Sequence, residues 1–180
     1  ANLSAPQQRL LQNYLADLQK SPAEQVAEKA GEKTAAGAPQ AAGGDNAKAQ
    51  LDSAAAAIGK KSYPEAIGII NEHRALFTDK NDQANALYLL AEAQTGLASA
   101  GTDKNAWEDA AVAYMRVVAH FPSGETAPLA ARSLLKTAQI EQYLGDTDAA
   151  RSLYQQLIAQ YAKDPAAHDA QSALTKMNEH

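Results

Sequence analysis

The sequence lacks cysteine altogether and has few residues that favour β-strands. Without cysteine the chain cannot form disulfides, thiolate nucleophiles, iron–sulfur clusters, cysteine zinc sites or c-type haem attachments. Glycine and proline occur mostly in short clusters, whereas alanine, the strongest helix former, dominates the composition. The sequence therefore predicts an all-α protein.

Long apolar runs and an excess of basic charge are also missing. No run approaches the roughly 20 apolar residues that span a bilayer, and no signal-peptide core is present. The formal net charge of -5 argues against a general nucleic-acid binder. We therefore expect an acidic protein that has no membrane span and does not bind nucleic acid.

The chain starts at Ala1 rather than at an initiator methionine. This start favours the expectation that it is a mature chain in the periplasm or another exported space. An excised domain and an engineered start are the alternatives, and they leave the cytoplasm open.

Signatures of catalysis and of metal binding are absent from the sequence. No HExxH, P-loop or GxSxG pattern occurs. Glu108 and Asp109 stand where a helix starts, so their charges complement the helix dipole. The four histidines form no ligand pattern: His73, His120, His168 and His180. We predict a protein that is not an enzyme and has no catalytic residues, cofactor or metal site.

Three regions follow one another along the chain. Residues 1–31 are predicted to be an N-terminal helical segment, residues 32–45 a flexible linker of small residues, and residues 46–180 a repeat domain. The first region carries an apolar stripe at helical spacing, made of Leu10, Leu11, Tyr14, Leu15 and Leu18. Such a stripe needs cover. Three arrangements would provide it: docking in the groove of the repeat domain, pairing across a homo-oligomer, or capping of the first repeat.

Three segments of the repeat domain share the same spacing of small and bulky residues. Each has an early alanine, a bulky residue four positions later and an aromatic eleven positions after the alanine. The alanines are Ala66, Ala110 and Ala150; the bulky residues are Ile70, Tyr114 and Tyr154; the aromatics are Phe77, Phe121 and Tyr161. A small residue permits close helix packing and the bulky residue fills the adjoining space. The pattern predicts paired-helix units.

The turn inside the last unit has residues suited to a helical hairpin. Gly145 is expected to adopt the left-handed conformation at the end of one helix, and Asp146 to cap the next. In the first unit Lys60, Lys61 and Ser62 make a poorer turn. The middle unit has a longer connection over residues 99–107, which should be an exposed loop.

With these offsets and the Gly-Asp turn, the chain resembles a tetratricopeptide-repeat protein. The resemblance implies a right-handed solenoid of about three helical hairpins with a C-terminal capping helix and an N-terminal helix. Residues 121–177 are also similar to the repeats of two periplasmic families, the Tol-Pal coordinator and the outer-membrane assembly lipoprotein.

The resemblance implies a concave groove that binds a protein or peptide. It places these residues in the groove: Asn85, Tyr88, Leu89, Glu92, Arg132, Leu135, Lys136, Gln139 and Tyr143, with Lys48, Leu51, Asp52 and Ala55 from the first unit. Such a surface suits a peptide that bears a carboxylate, bound by Arg132 and Lys136. An ordinary solvated helix face is the other interpretation of these two cations.

The function implied is that of a noncatalytic interaction scaffold in an exported or periplasmic assembly. The alternative is a structural accessory subunit that docks within a larger enzyme complex.

Overall fold

A computed structural model describes residues 43–101 and 104–179. This part of the chain is helical and contains no strand. Its α-helices are α1 (Gly43–Gly59), α2 (Tyr63–Glu72), α3 (Lys80–Ala100), α4 (Lys104–His120), α5 (Ala127–Leu144), α6 (Thr147–Gln160) and α7 (Pro165–Asn178). Short 3-10 turns, Arg74–Leu76 and Gly124–Thr126, precede α3 and α5. The predicted all-α class is confirmed.

The helices pack as three successive hairpins. The pairs are α1 with α2, α3 with α4, and α5 with α6, and each hairpin also packs against the next one. The last helix, α7, packs on α6 and α5 and so covers the end of the array, as expected of a C-terminal capping helix. The arrangement is a tetratricopeptide-like helical repeat fold.

The repeated positions lie in the core as the spacing predicts. Ala66, Ala110 and Ala150 are fully buried. The bulky residues one turn later, Ile70, Tyr114 and Tyr154, are buried as well. Of the closing aromatics, Phe77 is buried whereas Phe121 and Tyr161 are half-buried. Tyr161 lies at the edge of the core, where its hydroxyl donates to the Pro122 carbonyl at 2.8 Å.

The predicted Gly145–Asp146 turn is confirmed. Gly145 is left-handed with φ 88, and the Asp146 carboxylate accepts the Ala149 amide hydrogen at 3.0 Å. The amides of Gly145 and Asp146 bond to the carbonyls of Gln142 and Glu141, which satisfies the end of α5. The first turn uses the same bonds, with Lys61 in the left-handed position.

Two predicted boundaries shift. The exposed connection predicted over residues 99–107 is shorter, because α3 continues to Ala100 and α4 begins at Lys104. Helix α1 begins at Gly43, inside the stretch assigned to a linker, so the helical unit starts before residue 46. The rest of that linker and the segment 1–31 lie outside the described residues. None of the helices described is long and apolar enough to cross a membrane.

A candidate partner-binding face on α3 and α5

The first helices of the second and third hairpins lie side by side and run in the same direction. Asn81 Nδ2 donates to Glu125 Oε2 at 2.7 Å, just before α5 begins, and Lys136 Nζ lies 3.5 Å from Glu92 Oε1. In each of these pairs, the two residues are 44 positions apart in the sequence. The equal spacing at two levels shows that α3 and α5 run parallel, with residues 44 positions apart facing each other at both levels.

Helix α5 presents a stripe of four predicted groove residues. Arg132, Lys136, Gln139 and Tyr143 recur at helical spacing and therefore share one face. Arg132, Gln139 and Tyr143 are exposed, and Lys136 is partly exposed. The fifth predicted residue of this helix is Leu135. It packs against the buried core formed by α4 to α7 and so contributes mainly to the fold.

Helix α3 contributes Asn85, Tyr88 and Glu92, which also recur at helical spacing and are half-buried. The Asn85 amide donates to the Asn81 carbonyl of its own helix at 2.8 Å. Leu89 packs against the core cluster shared with α1. We call Asn85, Tyr88 and Glu92 together with the α5 stripe the α3/α5 face.

A polar cluster centred on Glu92 joins the two helices. The Tyr114 hydroxyl, on α4, donates to Glu92 Oε1 at 2.8 Å, and the Lys136 ammonium approaches the same oxygen. The Tyr88 ring meets the Tyr114 ring edge-on, with centroids 5.7 Å apart. Burial, reinforced by the charge of Glu92, raises the pKa of both Tyr88 and Tyr114. Both phenols therefore remain protonated near neutral pH.

This cluster changes the interpretation of the two predicted cations. Lys136 is paired with Glu92, so it is shared with an internal carboxylate. Arg132 is exposed, and its positive charge opposes the rise in the pKa of Tyr88.

An aromatic pair forms the other end of the face. The Tyr143 ring lies 4.7 Å from the Trp107 ring of α4, between centroids, at an interplanar angle of 42°. Tyr143 is 69% exposed, the largest exposure of any bulky apolar side chain in the described residues. Sequence reasoning did not place Trp107 here. The available signal was its position seven residues before Tyr114, which puts both on one side of α4.

The first hairpin adds less to this surface than predicted. Leu51 is only 8% exposed and packs in the core with Phe77 and Ala86, so its assignment to the groove is wrong. Lys48 and Asp52 form an exposed ion pair at 2.6 Å, whose hydrogen bond raises the pKa of Lys48. Ala55 is exposed. Over residues 43–101 and 104–179, no group of three or more histidine and acidic residues could hold a metal ion.

Residues 132–164 match the tetratricopeptide repeat family. The match covers most of α5, the Gly145 turn and α6, and ends at the residue that caps α7. A comparison with curated proteins gave no match. The matched repeat and the helical architecture together identify a tetratricopeptide-like protein, a fold that generally binds protein partners and is typically noncatalytic.

Proposed function

We propose that this protein is a noncatalytic scaffold that binds a protein or peptide segment along the α3/α5 face. The observation that carries the proposal is the exposed α5 stripe. The fold buries Tyr114 and Tyr154 almost completely, yet it leaves Tyr143 in solvent, in line with Arg132 and Gln139. Tyrosine and arginine are both enriched in protein interfaces relative to the rest of the surface.

The chemistry of the face suits a peptide that carries a carboxylate. Arg132 supplies a forked donor for a carboxylate, and Lys136 lies one turn further along the same stripe. The Gln139 amide offers both a donor and an acceptor to a peptide backbone. We propose that Glu92 and Tyr114 hold Lys136 in place, so that Arg132 makes the first contact.

Our proposal extends to the setting of this binding, which is an exported or periplasmic assembly. Its support is a resemblance inferred from the sequence alone, between residues 121–177 and the repeats of periplasmic families. Fractionation of cells that express the natural gene tests this part, and recovery of the protein in the cytoplasm would contradict it.

Capture of partners from membrane and soluble extracts tests the proposed face. Immobilised wild-type protein is compared with Arg132→Glu and with Lys163→Glu, which reverses an exposed cation in the loop after α6. We expect the partner to be lost with Arg132→Glu and kept with Lys163→Glu. Equal capture by both variants would place the partner elsewhere. A stoichiometric catalytic chain among the captured proteins would indicate an accessory subunit instead.

Self-association through the N-terminal apolar stripe is a further part of the proposal, supported by the sequence alone. Leu11→Asp combined with Leu15→Asp should lower the mass measured by light scattering. An unchanged mass would contradict self-association through these residues.

A further inference from the structure

The two ends of the α5 stripe differ in chemistry. Arg132 and Lys136 make one end cationic, whereas Tyr143, in contact with the tilted Trp107 ring, makes the other end aromatic. Arg132 and Tyr143 lie about 16 Å apart along the helix axis, since successive residues rise by about 1.5 Å. An extended peptide covers that distance in about five residues.

The charges around the aromatic end are mostly negative. Glu108 and Asp109 directly follow Trp107 in α4, and Asp146 lies three residues after Tyr143, just before α6. Along the described chain, Lys104 is the one cation within a turn of either aromatic. Burial raises the pKa of Glu141, and the charges of Asp146 and Glu108 raise it further, which indicates a negative potential in this region.

We infer that the Trp107–Tyr143 pair receives a cationic side chain of the bound segment, an arginine or a lysine, while Arg132 receives an acidic one. The α3/α5 face would thus select a peptide with opposite charges about five residues apart and fix its direction. This inference rests on the proposed function, since it names the kind of segment that the face binds.

Aromatic faces attract cations, and a guanidinium also stacks flat on a ring. The exposed Tyr143 ring provides such a face, and the nearby carboxylates add long-range attraction. An acidic residue at the aromatic end would meet repulsion from the same carboxylates. The acidic side chain of the partner is therefore held at Arg132 and the cationic one at Tyr143.

The single tryptophan of the sequence, Trp107, gives a direct readout at the aromatic end. The probes are peptides with acetylated and amidated ends, in which one glutamate and one arginine are separated by four serine or threonine residues. Both charge orders are made. In matched peptides citrulline replaces arginine, or glutamine replaces glutamate. Binding is followed by Trp107 emission and by calorimetry.

We expect the bound peptide to shift Trp107 emission, and the citrulline peptide to bind about two- to fivefold more weakly. That difference should vanish in Tyr143→Ala and persist in Tyr143→Phe, which keeps the ring. The difference between glutamate and glutamine should vanish in Arg132→Ala instead. Circular dichroism establishes that each variant is folded.

Equal binding of the arginine and citrulline peptides would overturn the inference, and so would an equal effect of citrulline in wild type and Tyr143→Ala. A glutamate preference that still depends on Arg132 would then leave the proposed function standing. Failure of both charge orders to bind also overturns the inference, whereas the proposed function is judged separately by the capture experiment.

Discussion

At the scale of single residues, two hairpin turns have the same backbone conformation but different side chains. Gly145 and Lys61 both occupy the left-handed position after a helix, with φ 88 and φ 62. Each donates its amide to the carbonyl three residues back, and the following residue donates to the carbonyl five residues back. Glycine adopts this conformation freely, but a residue with a Cβ is disfavoured there by about 1–2 kcal/mol.

Exchanging these two residue types should therefore change stability in opposite directions. We expect Lys61→Gly to raise the free energy of unfolding by about 0.5–1 kcal/mol and Gly145→Ala to lower it by about 1 kcal/mol. A Cβ at Gly145 would meet no atom within 4 Å, so the cost there is conformational rather than steric. Urea unfolding measures both changes, and the same sign for both would contradict the explanation.

Glu141 is an ionisable residue at a buried position. It is 5% exposed, and its pKa rises from its ordinary value of 4.5 to about 7. The first cause is burial, followed by repulsion from Asp146 before α6 and from Glu108 on α4. Between about pH 4.5 and about pH 7, the Glu141 carboxyl is therefore protonated in the folded protein but ionised in the unfolded chain.

This shift makes stability depend on pH with a defined sign. Because the folded pKa of Glu141 is the higher one, its ionisation destabilises the protein as pH rises from about 4.5 through about 7. We expect Glu141→Gln to be more stable than wild type at pH 8 by roughly 1–3 kcal/mol, with the advantage shrinking towards pH 4.5. Melting curves across this range measure it; an advantage independent of pH would contradict the assignment.

At the scale of secondary-structure elements, a glycine sets how closely α2 approaches α3. Tyr63, the first residue of α2, packs its ring directly over Gly96, and a Cβ added at Gly96 would overlap that ring. Gly96 is buried although it lies within a helix, where glycine is normally unfavourable by about 1 kcal/mol relative to alanine. The contact between the first and second hairpins thus outweighs local helix propensity.

Two glycine substitutions separate these effects. Gly96→Ala should destabilise the protein by about 1–3 kcal/mol, because the Tyr63 ring must move. Gly68→Ala in α2 is the matched control. A Cβ there meets no atom within 4 Å, so this change should stabilise by about 0.5–1 kcal/mol. The double variant with Gly96→Ala and Tyr63→Ala should lose less stability than the sum of the losses in the two single variants. Chemical unfolding measures all three losses. Full additivity would show that the ring is not the obstacle.

At the scale of the whole molecule, the described helices pack around more than one hydrophobic cluster. One cluster joins α1, α2 and α3 around Leu51, Ile70 and Phe77. Another joins α4 to α7 around Leu134 and Tyr154. Contacts between residues place Gly43–His180 in one compact unit. Successive hairpins bury one another's faces, which is how repeat arrays acquire stability.

A chain that starts at Gly43 should therefore fold by itself. We expect it to keep its helical circular dichroism spectrum and to unfold in a single cooperative transition. Thermal melting compared with the full chain measures this. An unfolded truncated protein would show that residues 1–42 are needed for the array to fold.

The sequence by itself determined the helical class, the hairpin repeat and the last turn. These features depend on local chemistry: alanine content, the recurring positions of Ala66, Ala110 and Ala150, and the glycine at Gly145. The family resemblance also indicated a shared face for Arg132, Lys136, Gln139 and Tyr143, and their spacing along one helix agrees with it. In each case the information lies within one helix or one turn, so it can be obtained from neighbouring residues.

Only the tertiary structure decided what lies opposite each face. The pairing of Lys136 with Glu92, the contact of the Trp107 ring with the Tyr143 ring and the packing of Leu51 in the core all involve residues from different helices. Periodicity gives the direction of a side chain around its own helix axis, but it does not give the register between helices. That register depends on packing such as the close approach at Gly96, where the absence of one side chain brings two hairpins together.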